Sequence, residues 1–425
     1  MNFDDFNIEI RDLGVREKTD GLRWDHTPGG TVACIPASDG KILYFGCDNS
    51  IFYALDTESG KELWRFETGG CMGNATPSVY GGMILFGSYD SYIYCIEKET
   101  GKMLWRYKTG GKVVSGTAVT KERIIFGSRD GYVYCLNHEG HELWRFRTGD
   151  EILSTPAIRD NLTYIGSYDC NMYCINIETG KESWRFTTGG AVANLPPVNL
   201  HDNSVIFGSW DFNVYCADRF TGKQIWRAQL SGGMLQGGKT ENGVLYIGTR
   251  NSNVFYEIDL RDGRIIREIK TEVHMHASNV EILDGNIYVG GGTDDYGPGK
   301  IYCINKEGEI LWTFSTDGPS WVGPVITDEK LFAGSWNCRM YRIDPTTGKQ
   351  LWNFRTSGAP SNEKVIDKNR FEVQTIIAKE ELDDAENMGT GYSAIPQVRF
   401  SSGEYGTKSE YGGKSEYSSG EIAYK

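Results

Sequence analysis

Apolar residues in this chain fall in short runs separated by glycine and polar turn signals, and the runs return at a fixed interval. One copy reads Ile124-Ile125-Phe126-Gly127, then Ser128-Arg129-Asp130-Gly131, then Tyr132-Val133-Tyr134, which predicts a hairpin turning at Asp-Gly. In half of the copies a Thr-Gly-Lys turn follows and leads into an alternating strand of the form Leu-Trp-Arg-Phe. Ahead of the next hairpin lies a shorter segment, Ile152-Leu153-Ser154-Thr155-Pro156-Ala157-Ile158, which reads as a first strand. No copy shows a 3.6-residue apolar period, so helical solenoids are excluded.

The interval is about 40 residues, the length of a propeller blade. The strand glycine recurs at Gly46, Gly87, Gly127, Gly166, Gly208, Gly248, Gly290 and Gly334. The outer tryptophan recurs at Trp64, Trp105, Trp144, Trp184, Trp226, Trp312 and Trp352, with Arg267 where one more is expected. Four short antiparallel strands per copy form one blade, so the chain is expected to be all-β, an eight-bladed β-propeller of four-stranded antiparallel blades. The pattern occupies residues 20–357, after a lead-in over residues 1–19. Gly21-Leu22-Arg23-Trp24-Asp25 resembles one more outer strand, which leaves the Trp24 and Trp352 segments as alternatives for closing the ring. An acidic linker, 358–402, precedes a six-residue low-complexity repeat over 403–425. Its Tyr, Ser, Glu, Lys and Gly cannot build a core, so disorder is expected. Evenly spaced Tyr405, Tyr411 and Tyr417 would be the anchors of a docking tail.

The spacing Ala54-x-Asp56-(x)3-Gly60-(x)3-Trp64 returns from Cys216 to Trp226 and, with Arg in first place, from Arg342 to Trp352. It resembles the tryptophan-docking motif of the PQQ-like, or quinoprotein-type, β-propeller repeat. That resemblance implies the fold and leaves the function open, because the family holds quinone-dependent dehydrogenases, non-catalytic scaffolds of the outer-membrane-assembly type and other cytosolic propellers. The enzymes it implies are larger, usually exported chains with a quinone over the central channel beside calcium. Here no adjacent cysteine pair and no inserted active-site loop is visible, so a dehydrogenase and its cofactor are not expected. The tryptophans read as structural, each lying over the turn of a neighbouring blade.

Charge and cysteine usage narrow the setting. A net charge of -13 argues against sequence-blind nucleic-acid binding and against docking on anionic lipid. No apolar run approaches the roughly 18 residues of a spanning helix, so no membrane insertion is expected. The acidic start, Met1-Asn2-Phe3-Asp4-Asp5, does not read as a signal peptide, which makes the cytoplasm the expected compartment. Of the ten cysteines, Cys95, Cys135, Cys174, Cys216 and Cys303 occupy one repeat position after a tyrosine, where a single packing role suits them better than disulfides or zinc.

Candidate chemistry is sparse, with no phosphate loop, nucleophile elbow or zinc-protease motif and no catalytic residue to nominate. The repeated Asp90, Asp130, Asp169 and Asp211 suit turn hydrogen bonding. One variable position in the second-to-third strand turn carries Tyr89, Arg129, Tyr168, Trp210, Arg250 and Trp336, and large aromatics and arginines exposed on one rim compose a binding surface. The channel mouth on that face is expected near Met72, Asn74, Met234, Gln236, His274, His276 and Trp321. A second departure gathers Arg267, the His274-Met275-His276 crossing and the lengthened hairpin from Thr293 to Pro298. With Asp294 and Asp295, the two histidines make a weak candidate metal site. The expectation is a non-enzymatic scaffold binding another protein or peptide. The alternative is a propeller holding a quinone, metal or sugar in its funnel, with oxidoreductase chemistry as one form.

Overall fold

The computed structural model describes residues 30–194, 196–234, 238–275, 278–293 and 297–356. Every regular element among them is a β-strand, arranged as eight separate four-stranded sheets. Each sheet takes four consecutive strands in sequence order, all antiparallel, so the eight blades span 37–67, 78–108, 117–147, 157–187, 199–229, 239–270, 280–316 and 324–355. The first strands of neighbouring blades touch, which puts them at the axis and the fourth strands outermost. The first strands are shorter than the apolar pattern predicts: in blade 4 only Ala157–Arg159 pairs, and residues from Ile152 onward belong to the crossing between blades.

Burial follows from this geometry. A blade is covered on both faces by its neighbours, so the second and third strands are apolar throughout, as in Ile84 to Gly87 and Ile93 to Ile96. The core is accordingly eight wedges, each between two blades. One joins Tyr44, Phe52 and Trp64 of blade 1 to Ile84, Phe86 and Tyr94 of blade 2, with Phe52 and Phe86 stacked 4.1 Å apart. The five repeated cysteines lie in these wedges as register partners of Trp105, Trp144, Trp184, Trp226 and Trp312.

Two glycine positions are forced by close approach. In the Thr-Gly-Lys or Ser-Gly-Lys turn, Gly60, Gly101, Gly180, Gly222 and Gly348 adopt φ between 67 and 70°, and a methyl there would lie 2.5–2.7 Å from the indole of the preceding blade. Each outer tryptophan also donates Nε1–H to a carbonyl of that turn at 2.7–3.2 Å. The strand glycine is needed for a second reason: a Cβ at Gly46, Gly127 or Gly166 would collide with Met72, Ile152 or Val192, the crossing residue packed against it.

Among the described residues the ring closes side to side, each blade keeping its own four consecutive strands. Gln350–Arg355 is the outer strand of blade 8, and Trp352 lies over Gly60 of blade 1 and donates to the Thr57 carbonyl at 3.2 Å. Arg342 and Lys330 of blade 8 both pair with Glu58 of blade 1, at 2.6 and 2.8 Å. Asn49 and Tyr53 of blade 1 donate to the Thr356 carbonyl at 2.8 and 2.7 Å. Trp24, the lead-in, the linker and the tail lie outside the described residues.

Candidate functional site

At one mouth of the channel, the turn between second and third strands meets the crossing from the previous blade. The turn amide donates to a crossing carbonyl: Tyr89 to Cys71, Arg129 to Lys112, Tyr168 to Glu151, Trp210 to Ala191, Arg250 to Gly233 and Trp336 to Pro319, at 2.8–3.0 Å. Below them Val114, Leu153 and Ala193, from three successive crossings, meet in one buried cluster on which Tyr89, Tyr168 and Trp210 rest. Only the axis side can bring three consecutive crossings together, so these rings roof the mouth.

That placement corrects the expected exposure of the rim. All six turn side chains are half-buried, because each turn is tied inward by its crossing and leans on a neighbour. Tyr168 and Trp210 are 6.4 Å apart between ring centroids, Arg250 lies 5.3 Å from the Trp210 centroid, and Trp336 meets Trp321 edge-on at 4.9 Å. A second correction concerns Met72 and Met234, which do not line the mouth. Both are wholly buried in wedges between blades, Met72 in the space left by Gly46. Asn74 is half-buried and Trp321 buried. His274 is half-buried and pairs through its backbone with Gly292 at 3.0 and 3.1 Å, so the blade 6–7 crossing does adjoin the lengthened hairpin. Gln236, His276, Asp294 and Asp295 lie outside the described residues. Among the described residues, no three His, Cys, Asp or Glu side chains converge as a metal ion requires.

The mouth also holds charged groups that the repeat pattern does not single out. Asp48 occupies in blade 1 the turn place of Tyr89, its amide donating to the Thr31 carbonyl at 3.2 Å. Burial pushes its carboxyl up to about 6, against the opposing pull of the Thr31 hydroxyl and the Gly73 amide. Aligning Gly46-Cys47-Asp48-Asn49 with Gly87-Ser88-Tyr89-Asp90 would have found it. Lys112 and Glu151 stand at the crossing place that is Ala191 or Gly233 elsewhere, and their charge in that small-residue position was the available signal. The thiols nearby are chemically quiet: burial raises Cys34 and Cys71 to about 12, and Cys34 accepts the Gly46 amide at 3.2 Å. Asn194, in the blade 4–5 crossing, is wholly buried, and neither side-chain amide atom has a hydrogen-bond partner among the described residues.

Over residues 12–115, 89–209 and 271–381 the chain matches the family described as outer membrane protein assembly factor BamB. Among solved structures it is similar to BamB from Moraxella catarrhalis, at 15% identity and a TM-score of 0.62, covering 72% of this chain and 92% of that one. It is similar to the computationally designed Ika8 protein, at 16% and 0.61, covering 73% and 95%. Sqt1 from Saccharomyces cerevisiae matches at 13% and 0.60, covering 73% and 94%. At these identities the likeness is one of fold. A tetrathionate hydrolase from Acidithiobacillus ferrooxidans is 32% identical over 66 residues. That segment is 15% of this chain and 13% of the hydrolase, so the match spans a small part of that relative's length.

Proposed function

The chain belongs to the family of the outer membrane protein assembly factor BamB, and from that premise we propose that it is a non-enzymatic propeller binding another protein or a peptide over the mouth of its channel. The observation that carries this is the convergence of Tyr89, Arg129, Tyr168, Trp210, Arg250 and Trp336 at one mouth, half-buried and resting on neighbouring blades. Tyr, Trp and Arg held in place by packing are the side chains that dominate binding energy at protein interfaces. The proposal sets this propeller in the cytoplasm, and the ten cysteines, all free thiols, suit a reducing compartment.

The test is affinity capture from native lysate with the full chain and with Tyr168→Ala/Trp210→Ala/Trp336→Ala. Circular dichroism first checks that the variant is folded, and single Trp210→Ala takes its place if it is not. A partner held by the parent and lost by the variant is expected. Equal capture by both overturns the mouth as the binding face. The buried, unpartnered amide of Asn194 favours a second reading, a small polar ligand held beside the blade 4–5 crossing, because such a group normally finds water or ligand. Native mass spectrometry of the purified protein would detect a stoichiometric small molecule on this reading, and bare protein would argue against it.

A further inference from the structure

The blade 2–3 crossing and the turn of blade 3 bring two cations to one sector of the mouth. The Lys112 ammonium lies 4.7 Å from the centroid of the Tyr89 ring, and the Lys112 carbonyl accepts the Arg129 amide at 2.9 Å. The Arg129 side chain is only 12% exposed. Its Nε stands 3.5 Å from the Glu151 carboxylate, an ion pair without good hydrogen-bond geometry, and has no hydrogen-bond acceptor among the described residues. Burial first, and the Arg129 charge next, hold the Lys112 amine below its usual range. The Arg129 charge is also felt by the hydroxyls of Tyr89 and Tyr168, and Arg250, three blades further on, acts on the same Tyr168 hydroxyl. Like charges crowded into half-buried ground are unfavourable unless anions join them, and Glu151, which pairs with Arg129 and also draws the Lys112 amine upward, supplies one carboxylate for the two cations. The chain as a whole carries -13, so a sector that sets Lys112, Arg129 and Arg250 against Glu151 is no general property of its surface.

We infer that this sector, Lys112 and Arg129 flanked by Tyr89, Tyr168, Trp210 and Arg250, is the receptor for an acidic peptide segment. A glutamate or aspartate carboxylate enters between Lys112 and Arg129, where the guanidinium offers it paired N–H donors. The methylenes of that side chain lie along the aromatic rings. The inference rests on the mouth being a protein-binding face and adds the chemistry of what it binds. Complementary charge of this kind sets partner choice and association rate, and it weakens with salt where the groups reach solvent.

Fluorescence anisotropy of the full chain tests it, using a fluorescein-labelled octapeptide of alternating glutamate and alanine beside the same peptide with glutamine for glutamate. The glutamate peptide is expected to bind, and Lys112→Gln/Arg129→Gln to weaken it about tenfold or more. Arg106→Gln, an exposed outer-strand arginine, serves as the charge control and is expected to leave binding unchanged. Equal binding of the glutamine peptide, or undiminished binding by the folded double variant, overturns the inference. Free glutarate competing as well as unlabelled peptide also overturns it, giving the site to a small carboxylate. Native-partner capture lost in Trp210→Ala but kept in Lys112→Gln/Arg129→Gln leaves the mouth a protein-binding face and overturns the acidic chemistry alone.

Discussion

Blades 2 to 5 and blades 6 and 7 are written in the same repeat, yet they hold their turns and joints by different chemistry. In the first group one carboxylate does three things. Asp90, Asp130, Asp169 and Asp211 each accept an amide within their own turn, a glycine amide of the preceding crossing at 2.7–2.8 Å, and a tyrosine hydroxyl at 2.5–2.7 Å. The aspartate thus reaches beyond its own turn, which explains why Thr-Gly-Gly or Thr-Gly-Asp recurs in the crossing it holds. In blades 6 and 7 the tyrosine stays but turns to other partners: Tyr256 donates to the Ser231 hydroxyl at 2.7 Å, and Tyr302 accepts the Glu272 amide at 3.0 Å.

The joint after blade 6 changes in the same spirit. Elsewhere a tryptophan faces Cys, Ala or Arg across the register. Here Arg267 faces Glu257, pairs with it at 2.9 Å, and donates to the Lys306 carbonyl at 3.0 Å, over Gly308. Arg267 therefore takes over the tryptophan's place between blades. The comparison teaches that a break in the repeat is evidence of function only when its register partner has not changed with it.

The largest effect should come from the regular half. Trp184→Ala empties a nearly buried site over Gly222 and removes the bond to the Arg219 carbonyl, and about 3–5 kcal/mol should be lost in urea unfolding. A loss under about 1 kcal/mol would show that the indole ring is not what holds these blades.

Arg267→Ala should come next, at about 1–3 kcal/mol at neutral pH, because it strands a buried Glu257. The figure is reduced because Arg267 is 35% exposed. Burial raises the Glu257 carboxyl above its ordinary value while Arg267 pulls it down. A carboxyl raised in the fold weakens stability as pH rises through its folded pKa and ceases to do so below its ordinary pKa. Arg267 acts on the ionised form, so the variant's penalty should shrink as pH falls from neutral toward 4.5, the ordinary glutamate value. A penalty independent of pH would mean that packing, not the ion pair, makes this joint. Glu257→Cys/Arg267→Trp, which writes the regular pair into blade 6, should stay within about 1.5 kcal/mol of the parent.

The smallest contrast concerns the turns. Asp169→Ala should cost about 1–3 kcal/mol by leaving the Gly149 and Asn171 amides and the Tyr173 hydroxyl without their acceptor. Ser231→Ala in the irregular half should cost about 0.5–1.5 kcal/mol, since it removes one neutral hydroxyl, shared between Tyr256 and the exposed Ser252. Equal losses by thermal unfolding would say that the carboxylate is not what sets blades 2 to 5 apart.

Blade number, strand order and outer tryptophans could be read directly because each is a local pattern of turn chemistry and periodicity, repeated until chance is excluded. The glycines of Thr-Gly-Lys were legible as turn formers, but their closeness to an indole one blade away was not. The candidate site was legible in part. Tyr89, Arg129, Tyr168, Trp210, Arg250 and Trp336 were identified as one equivalent position, while Asp48, at that same position in blade 1, was passed over, and Lys112 and Glu151 lie in crossings whose closeness to the turn is set by the next blade.

What the sequence by itself determined was the blade, since its hydrogen bonds and turns close within about 40 residues. What only the tertiary structure decided was direction: whether Met72 faces the channel or a wedge, whether Tyr168 stands out or roofs the mouth, and whether Arg267 replaces a tryptophan or marks a site. Each of these depends on the space left by a neighbouring blade, and that space exists only once the ring has closed.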